Sequence, residues 1–408
     1  MYILKKRTKY FGLFKVTMTT RPFSIMIFCW NASGLKLCET MSQSKADSAR
    51  KGFKARLFMK EQCLAPDFFN DLHKIILTKD PTLIIISTEE EDLKDTYFHS
   101  KFLQVIVPEL GYSLLRRSKF PNVGDVASNI PLIKVPTGRP SGSALRMSVY
   151  VKDEIIKDIK TEERKLSKFF SDPEIKVKCY EDKRSTGAIG FYLWHPIYGK
   201  FLFIALHLPS GLNYVSTNPN LSYEEYRLLV QSVNNICLIK MLNYFVNSVP
   251  NESKPDYVFL FGDFNYDIVI PNKSISRIVE ELTSNVTLEK IKEYYQHDEL
   301  KKATEKAPLK GFLEGKNNNG PMFLPTWKLK RGRLEECSLV QKNKLDPSCF
   351  DSENYEGIGW HDRILYKDLG TSVYTLSCNE YARMDVKNMK QSTHAGVYGL
   401  FSVSSRSS

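Results

Sequence analysis

Short apolar runs bounded by Gly, Pro, Asn and Ser recur along the chain, and they predict strands. They are "FSIMIFCW" (23–30), "TLIIIS" (82–87), "ALRMSVYV" (144–151), "AIGFYLW" (188–194), "KFLFIALHL" (200–208), "YVFLFG" (257–262), "HDRILYK" (361–367) and "GVYGLFSV" (396–403). The unbroken β-branched run at 82–87 is expected of a strand covered on both faces. Elsewhere the period changes to that of a helix. In "PDFFNDLHKIILTK" (66–79), Phe68, Phe69, Leu72, Ile75 and Ile76 share one stripe. Pro66 stands near its start, where a missing N–H costs nothing. The stretch 222–248 opens with Ser222 and Glu225 at capping-box spacing and stays amphipathic for several turns. "SISRIVEELTS" and "LEKIKEYYQHDELKKAT" extend the helical material to about Thr304. The highly charged 152–173 reads as an exposed helix. Segments 118–143 and 305–357, rich in Gly, Pro, Ser or Asn and charge, read as excursions.

Many short strands with helices at irregular intervals do not give the steady rhythm of a doubly wound sheet. They predict an α+β fold, a four-layer α/β/β/α sandwich of two mostly antiparallel sheets flanked by helices. No internal repeat or linker interrupts the pattern. Residues 21–404 are therefore expected to form a single domain, preceded by a basic extension over 1–20. A hydrophobic content of 42% excludes global disorder. Lys and Arg outnumber Asp and Glu by 58 to 46, a net charge of +12. That surplus favours an anionic partner (nucleic acid, a phosphorylated small molecule or an anionic lipid surface) without choosing among them. Eight cysteines with no C-x-x-C pair argue against a zinc ribbon or redox motif and suit a reducing, cytoplasmic compartment. No apolar run approaches the roughly 20 residues of a spanning helix. "MYILKKRTKYFGLFK" lacks the apolar core and cleavage site of a secretory signal. Its Lys5, Lys6, Arg7 and Lys9 suit either a solvated tail or peripheral contact with an anionic membrane. A monomer is expected.

Chemistry-bearing residues sit where the apolar runs end, which is where a rigid sheet holds reactive groups at a cleft mouth. They are Asn31 after "MIFCW", Glu89 to Glu91 after "IIIST", His207 in "ALHLPSG", Asp263 and Asn265 after "FLFG", Asp362 in "GWHDRIL" and His394 in "QSTHAGVYG". Each also has a plain structural reading. Asn31 suits a turn, the glutamates a solvated helix start, His207 a core histidine, Asp362 with Arg363 an ion pair, and His394 an exposed loop. Taken together, carboxylates, carboxamides and two imidazoles suit metal-assisted phosphoester hydrolysis. Hard oxygen ligands suit Mg²⁺, a carboxylate activates water, and imidazoles offset phosphate charge.

The ordered series resembles the endonuclease/exonuclease/phosphatase superfamily, and within it the inositol polyphosphate 5-phosphatases. "CWNASG" resembles T-W-N-x-x-G, "IIISTEE" the strand ending in Gln-Glu, and "LHLPSG" H-L-A-A-G. "FGDFNYD" resembles G-D-L-N-Y-R, "PTWKLKRG" P-T-F-K-Y, and "GWHDRILYK" W-C-D-R-I-L. "QSTHAGVYGLF" stands where that family has S-D-H-K-P-V. The likeness covers roughly residues 23–403. It implies a pancreatic-deoxyribonuclease-like fold and Mg²⁺ held by Glu90 with help from Asn31. It also implies a catalytic set of Asp263, Asn265, His207, Asp362 and His394. Lys328, Arg184 and Arg331 would meet substrate phosphates, with Arg333 a looser candidate. The implied substrates are inositol phosphates or phosphoinositide headgroups, attacked by water at a phosphomonoester.

The sequence departs from that pattern at four places. Thr393 replaces a metal-site aspartate, Thr186 replaces an inositol-reading lysine, and Asp267 replaces the arginine of G-D-L-N-Y-R. Residues 337–359 replace a substrate-binding run. Two other readings stay open. One is a nuclease or phosphodiesterase acting on nucleic acid; the other is an attenuated member that binds phosphoinositides or protein.

Overall fold

The structure is a computed structural model that describes residues 22–31, 66–92, 109–120, 143–166, 186–210, 221–284, 287–329, 350, 357–384 and 392–406. Every apolar run named above is a strand. β1 (Phe23–Asn31), β2 (Leu83–Asp92), β3 (Tyr112–Phe120) and β4 (Ser143–Lys152) join β11 (Tyr374–Arg383) and β12 (Val397–Ser405) in one sheet, ordered β11-β12-β1-β2-β4-β3. The second sheet runs β5 (Lys160–Leu166), β6 (Gly187–His195), β7 (Gly199–His207), β8 (Tyr257–Asp263), β10 (Asp362–Asp368) and β9 (Leu313–Glu314). One parallel pair lies at the heart of each sheet, β1 with β2 and β7 with β8, and the other pairings are antiparallel.

Side-chain parity explains why the runs are apolar throughout rather than alternating. On β1, Ile25, Ile27 and Cys29 point between the sheets, where they meet Phe203, Phe259 and Phe261. Met26, Phe28 and Trp30 point outward with Ile84 and Ile86, against Leu72 and Ile76 of α1 (Pro66–Lys79). On the far side, Ile204, Leu206, Val258 and Leu260 pack on Val233, Cys237 and Met241 of α2 (Tyr223–Leu242). Both faces of each central strand are thus dry, and each large side chain so buried stabilises the fold by about 1.5–3 kcal/mol.

The helical readings hold closely. α1 covers the expected span, with Leu72 and Ile76 fully buried. Ser222 and Glu225 form the expected capping box at the start of α2. α3 (Ile275–Ser284), α4 (Leu288–Tyr295) and α5 (Glu299–Thr304) follow. α5 begins anew because the Asp298 side chain caps it, accepting from the Lys301 N–H. Over its described part, 152–166, the charged stretch 152–173 is not a helix. It makes a 3₁₀ turn at Asp153–Asp158 and then β5, an edge strand whose polar residues need no second dry face. Among the described residues no helix is long and apolar enough to cross a membrane. The basic stretch over 1–20 lies outside the described residues.

Candidate active site

Register gathers the polar strand ends into one row. His207 at the end of β7 pairs with Asp263 at the end of β8, and Asp263 pairs with Asp362 at the start of β10. In the facing sheet, Asn31 at the end of β1 and Glu89 of β2 form the last pair between those strands. Asp263 is 1% exposed. Its carboxylate accepts from Asn31 Nδ2 at 2.6 Å and from the Asn265 main-chain N–H at 2.9 Å. His207 Nε2 stands 3.6 Å from Asp263 Oδ2 and 3.7 Å from Glu90 Oε1. Asp362 accepts from the Asn31 N–H at 2.8 Å and holds His394 Nδ1 at 2.8 Å. Seven of the ten residues singled out from the sequence therefore meet at one place: Asn31, Glu90, His207, Asp263, Asn265, Asp362 and His394. Lys328 lies beside them, its Nζ 5.9 Å from the ring centre of Trp327. Arg184 and Arg331, like Arg333, lie outside the described residues.

Short words of the sequence quoted above acquire mechanical roles. The Thr326 hydroxyl of "PTWK" accepts from the main-chain N–H groups of His361 and Asp362, fixing the start of β10. Trp30 donates its indole N–H to the His394 carbonyl, and Ser392 donates to the Asn31 carbonyl while accepting from the His394 N–H. The Asn265 carboxamide is anchored on the Leu208 carbonyl at 2.7 Å. Arg363 does not pair with Asp362. Its guanidinium goes to Asp298 and Glu314, which leaves Asp362 to Asn31 and His394.

Gly262, just before Asp263, has φ +125°, and a Cβ there would stand 2.1 Å from the Leu206 carbonyl oxygen and 2.9 Å from Glu89 Oε1. Gly262→Ala is expected to cost at least about 1–3 kcal/mol from backbone strain alone. Thermal unfolding checks it, and an unchanged midpoint would refute the close approach.

Two residues at the site were given no catalytic or metal-binding role in the sequence reading. Glu89, assigned there to a glutamine position, is fully buried and accepts from Ser87 Oγ at 2.6 Å, but its Oε2 has no hydrogen-bond partner among the described residues. Burial, and then the nearby charges of Asp362 and Asp263, push its carboxyl well above the usual range. The second is His361, 2% exposed, whose ring stacks on Trp327 at 4.2 Å. Its Nδ1 lies 3.9 Å from Asp263 Oδ1 and its Nε2 lies 2.6 Å from Asp267 Oδ1. The signal for it was present, since His361 and Asp267 both depart from the 5-phosphatase pattern and they contact each other.

The electrostatics divide the labour. Burial opposes ionisation of Asp263, but His394, His207 and His361 hold its carboxyl below the ordinary value. Burial likewise opposes protonation of His394, yet Asp362, by charge and by hydrogen bond, carries it above the ordinary imidazole value. The surroundings thus favour the anionic form of Asp263 and the cationic form of His394. Three carboxylates with an orphaned buried oxygen on Glu89 form a hard-oxygen donor set that a divalent cation fits. Glu89 and Glu90 offer it from the floor and from the mouth. Glu89 is sealed in, whereas the Glu90 side chain is 35% exposed and takes φ +52°.

The family model for Endonuclease/Exonuclease/phosphatase family 2 matches residues 140–400. No curated protein sequence matches the chain. Among solved structures it is similar to the Cimex nitrophorin ferrous NO complex, with a TM-score of 0.55 and 17% identity over 94% of this chain and 99% of that one. It is similar also to the inositol polyphosphate 5-phosphatase domain of SPsynaptojanin in complex with inositol (1,4)-bisphosphate and calcium ion. There the TM-score is 0.52 and the identity 16%, over 94% of this chain and 86% of that one. At such identities the likeness is one of fold.

Proposed function

The chain belongs to the endonuclease/exonuclease/phosphatase family, and on that premise we propose that it is a Mg²⁺-dependent phosphomonoesterase acting on inositol phosphates or phosphoinositide headgroups. Residues 21–404 would form its one catalytic domain, working in the cytoplasm and touching anionic membrane only peripherally. The observation that carries this reading is the Asp263 carboxylate 3.6 Å from the His207 imidazole, in a site where a second carboxylate, Asp362, holds the His394 imidazole at 2.8 Å.

Asp263, fixed by Asn31 and by the Asn265 N–H, orients the attacking water and takes its proton. His394 donates to a phosphoryl oxygen as negative charge builds there, and Asp362 keeps that imidazole charged and aimed. His207, 3.6 Å from Asp263, donates from the other side. Mg²⁺ would be held by Glu90, Glu89 and Asn31, and when bound it would offset phosphate charge. Lys328 at the rim would meet a further phosphate of the substrate, and Arg184 and Arg331 are proposed for the same task.

Asp362→Asn is expected to lower kcat about 100-fold and to reshape the pH profile. His394 works protonated and its folded pKa is raised, so its contribution is full at low pH and is lost as pH rises through that raised value. Without Asp362 only the lowering by burial and the weaker charges remain, so the alkaline limb moves to lower pH. A pH–rate profile checks it; a lower plateau with an unmoved limb would assign Asp362 to structure alone. The substrate class is tested by phosphate release from phosphoinositide vesicles and soluble inositol phosphates, with DNA and RNA as a second arm. Cleaved strands without released phosphate would make the chain a phosphodiesterase instead.

A further inference from the structure

His361 is unused by that mechanism, yet it is built as carefully as the residues that are used. Asp267 Oδ2 is ion-paired with Arg227 at 3.1 Å and accepts from the Tyr223 hydroxyl at 2.8 Å, so Asp267 is a carboxylate. A carboxylate accepts, hence His361 Nε2 donates to it, and Nδ1 is the nitrogen left to face the cleft, where it can offer its lone pair to a cation. That Nδ1 is buried, has no hydrogen-bond partner among the described residues and faces Asp263 at 3.9 Å. Stacking on Trp327 and the close approach of Gly359, where a Cβ would stand 3.2 Å from His361 Cδ2, leave the ring little freedom to turn away.

His394 repeats the arrangement. Its Nδ1 is held by Asp362, so its Nε2 is the atom left for the cleft, and the two imidazole centres lie 5.8 Å apart. One ligand atom each from Asp263, His361 and His394 lie within 4.8 Å of one another. Tetrahedral ligands about 2.0–2.2 Å from zinc stand roughly 3.4 Å apart, so closure by at most about 1.4 Å brings the three to ligand spacing and leaves the fourth position to water. Metal-binding histidines almost always hand their other N–H to a carboxylate, carbonyl or water. Both of these do so, to Asp267 and to Asp362.

We propose that Asp263, His361 and His394 form a second cation site, of mixed imidazole and carboxylate ligands, that takes Zn²⁺ or a similar borderline divalent metal rather than Mg²⁺. The ligand types set the choice, since imidazole suits zinc while Mg²⁺ keeps to oxygen and water. Binding occupies the His394 Nε2 that would otherwise donate to a phosphoryl oxygen. It also ties up the Asp263 carboxylate. On the hydrolase reading above, zinc at this site therefore inhibits.

The test reads binding without substrate, so its outcome does not depend on whether any phosphoester is hydrolysed. The full chain is titrated with ZnCl₂ by calorimetry in a large excess of Mg²⁺, and with CoCl₂ by visible absorption. One equivalent of each is expected, with Co²⁺ bands of a four-coordinate ion that Mg²⁺ does not erase. His361→Gln is expected to weaken zinc at least tenfold, and Asp267→Asn by about 10–100-fold. X-ray absorption of the zinc-loaded wild-type chain, which depends on no variant folding, is expected to show two imidazoles. An all-oxygen shell, displacement by Mg²⁺, or equal affinity in a folded His361→Gln chain would overturn the proposal.

Discussion

Arg363→Ala is expected to remove about 3–5 kcal/mol of folding stability, the cost of leaving buried charge without its counterion. Arg363 is fully buried, as are its partners Asp298 and Glu314, at 0% and 2% side-chain exposure. It holds both Asp298 oxygens at 3.0 and 3.1 Å and donates to the Trp360 carbonyl at 3.1 Å. Glu314 also receives the hydroxyls of Tyr295 and Tyr381, each at 2.9 Å, so the network ties α4, β9, β10 and β11 together. Removing the guanidinium strands two carboxylates that cannot reach water. Lysine is a poor substitute, because one ammonium cannot serve two carboxylates and a carbonyl in a fork.

The pH dependence of that deficit has a definite sign. Burial, offset in part by Arg363, already pushes the Asp298 carboxyl up to about 7. A carboxyl raised above its unfolded value of about 3.9 destabilises the fold once the unfolded chain ionises. Stability accordingly falls as pH rises between the two values, and without Arg363 the upper value climbs further. Urea unfolding of Arg363→Ala should therefore show a deficit that shrinks on acidification from pH 8 towards pH 5. A deficit under about 1 kcal/mol at neutral pH would mean that water reaches the network.

Asp263→Asn is expected to lower kcat by about 10³–10⁴. The change removes the proton acceptor and the negative charge that steadies three imidazoles, and it keeps the shape. The carboxamide can still accept one of the two bonds now given by Asn31 and the Asn265 N–H, so only one contact is lost. That costs about 1–2 kcal/mol of stability. Inorganic phosphate release, set beside thermal unfolding of the same preparation, separates the two effects. Loss of activity in proportion to loss of folded protein would place Asp263 in the scaffold instead.

The central strands were legible because both of their faces are dry, which leaves an unbroken apolar word in the sequence. The four strands that pattern reading passed over are β3, β5, β9 and β11, and these are the four sheet edges. An edge strand buries little and carries charge: β5 reads "KTEERKL", and β11 buries only Leu376 and Cys378. The site was legible for the opposite reason, since polar residues directly after such words have few structural uses.

The burial of Glu89 beside the site was not legible because the sequence cannot show the irregular pairing of β2 with β4 between Thr88 and Glu91. A bulge there breaks the alternation of faces, and Glu90 takes a left-handed φ of +52°. Adjacent glutamates then reach the same cleft, one at its floor and one at its mouth. His361 was passed over because its meaning lies in a pair 94 residues apart with Asp267.

The most direct measurement is inorganic phosphate released from phosphatidylinositol 4,5-bisphosphate, with and without Mg²⁺, by the wild-type chain and by folded Asp263→Asn. The account predicts release that requires both the metal and the carboxylate. No release at high concentrations of the wild-type chain, or equal release by the two chains, would contradict it.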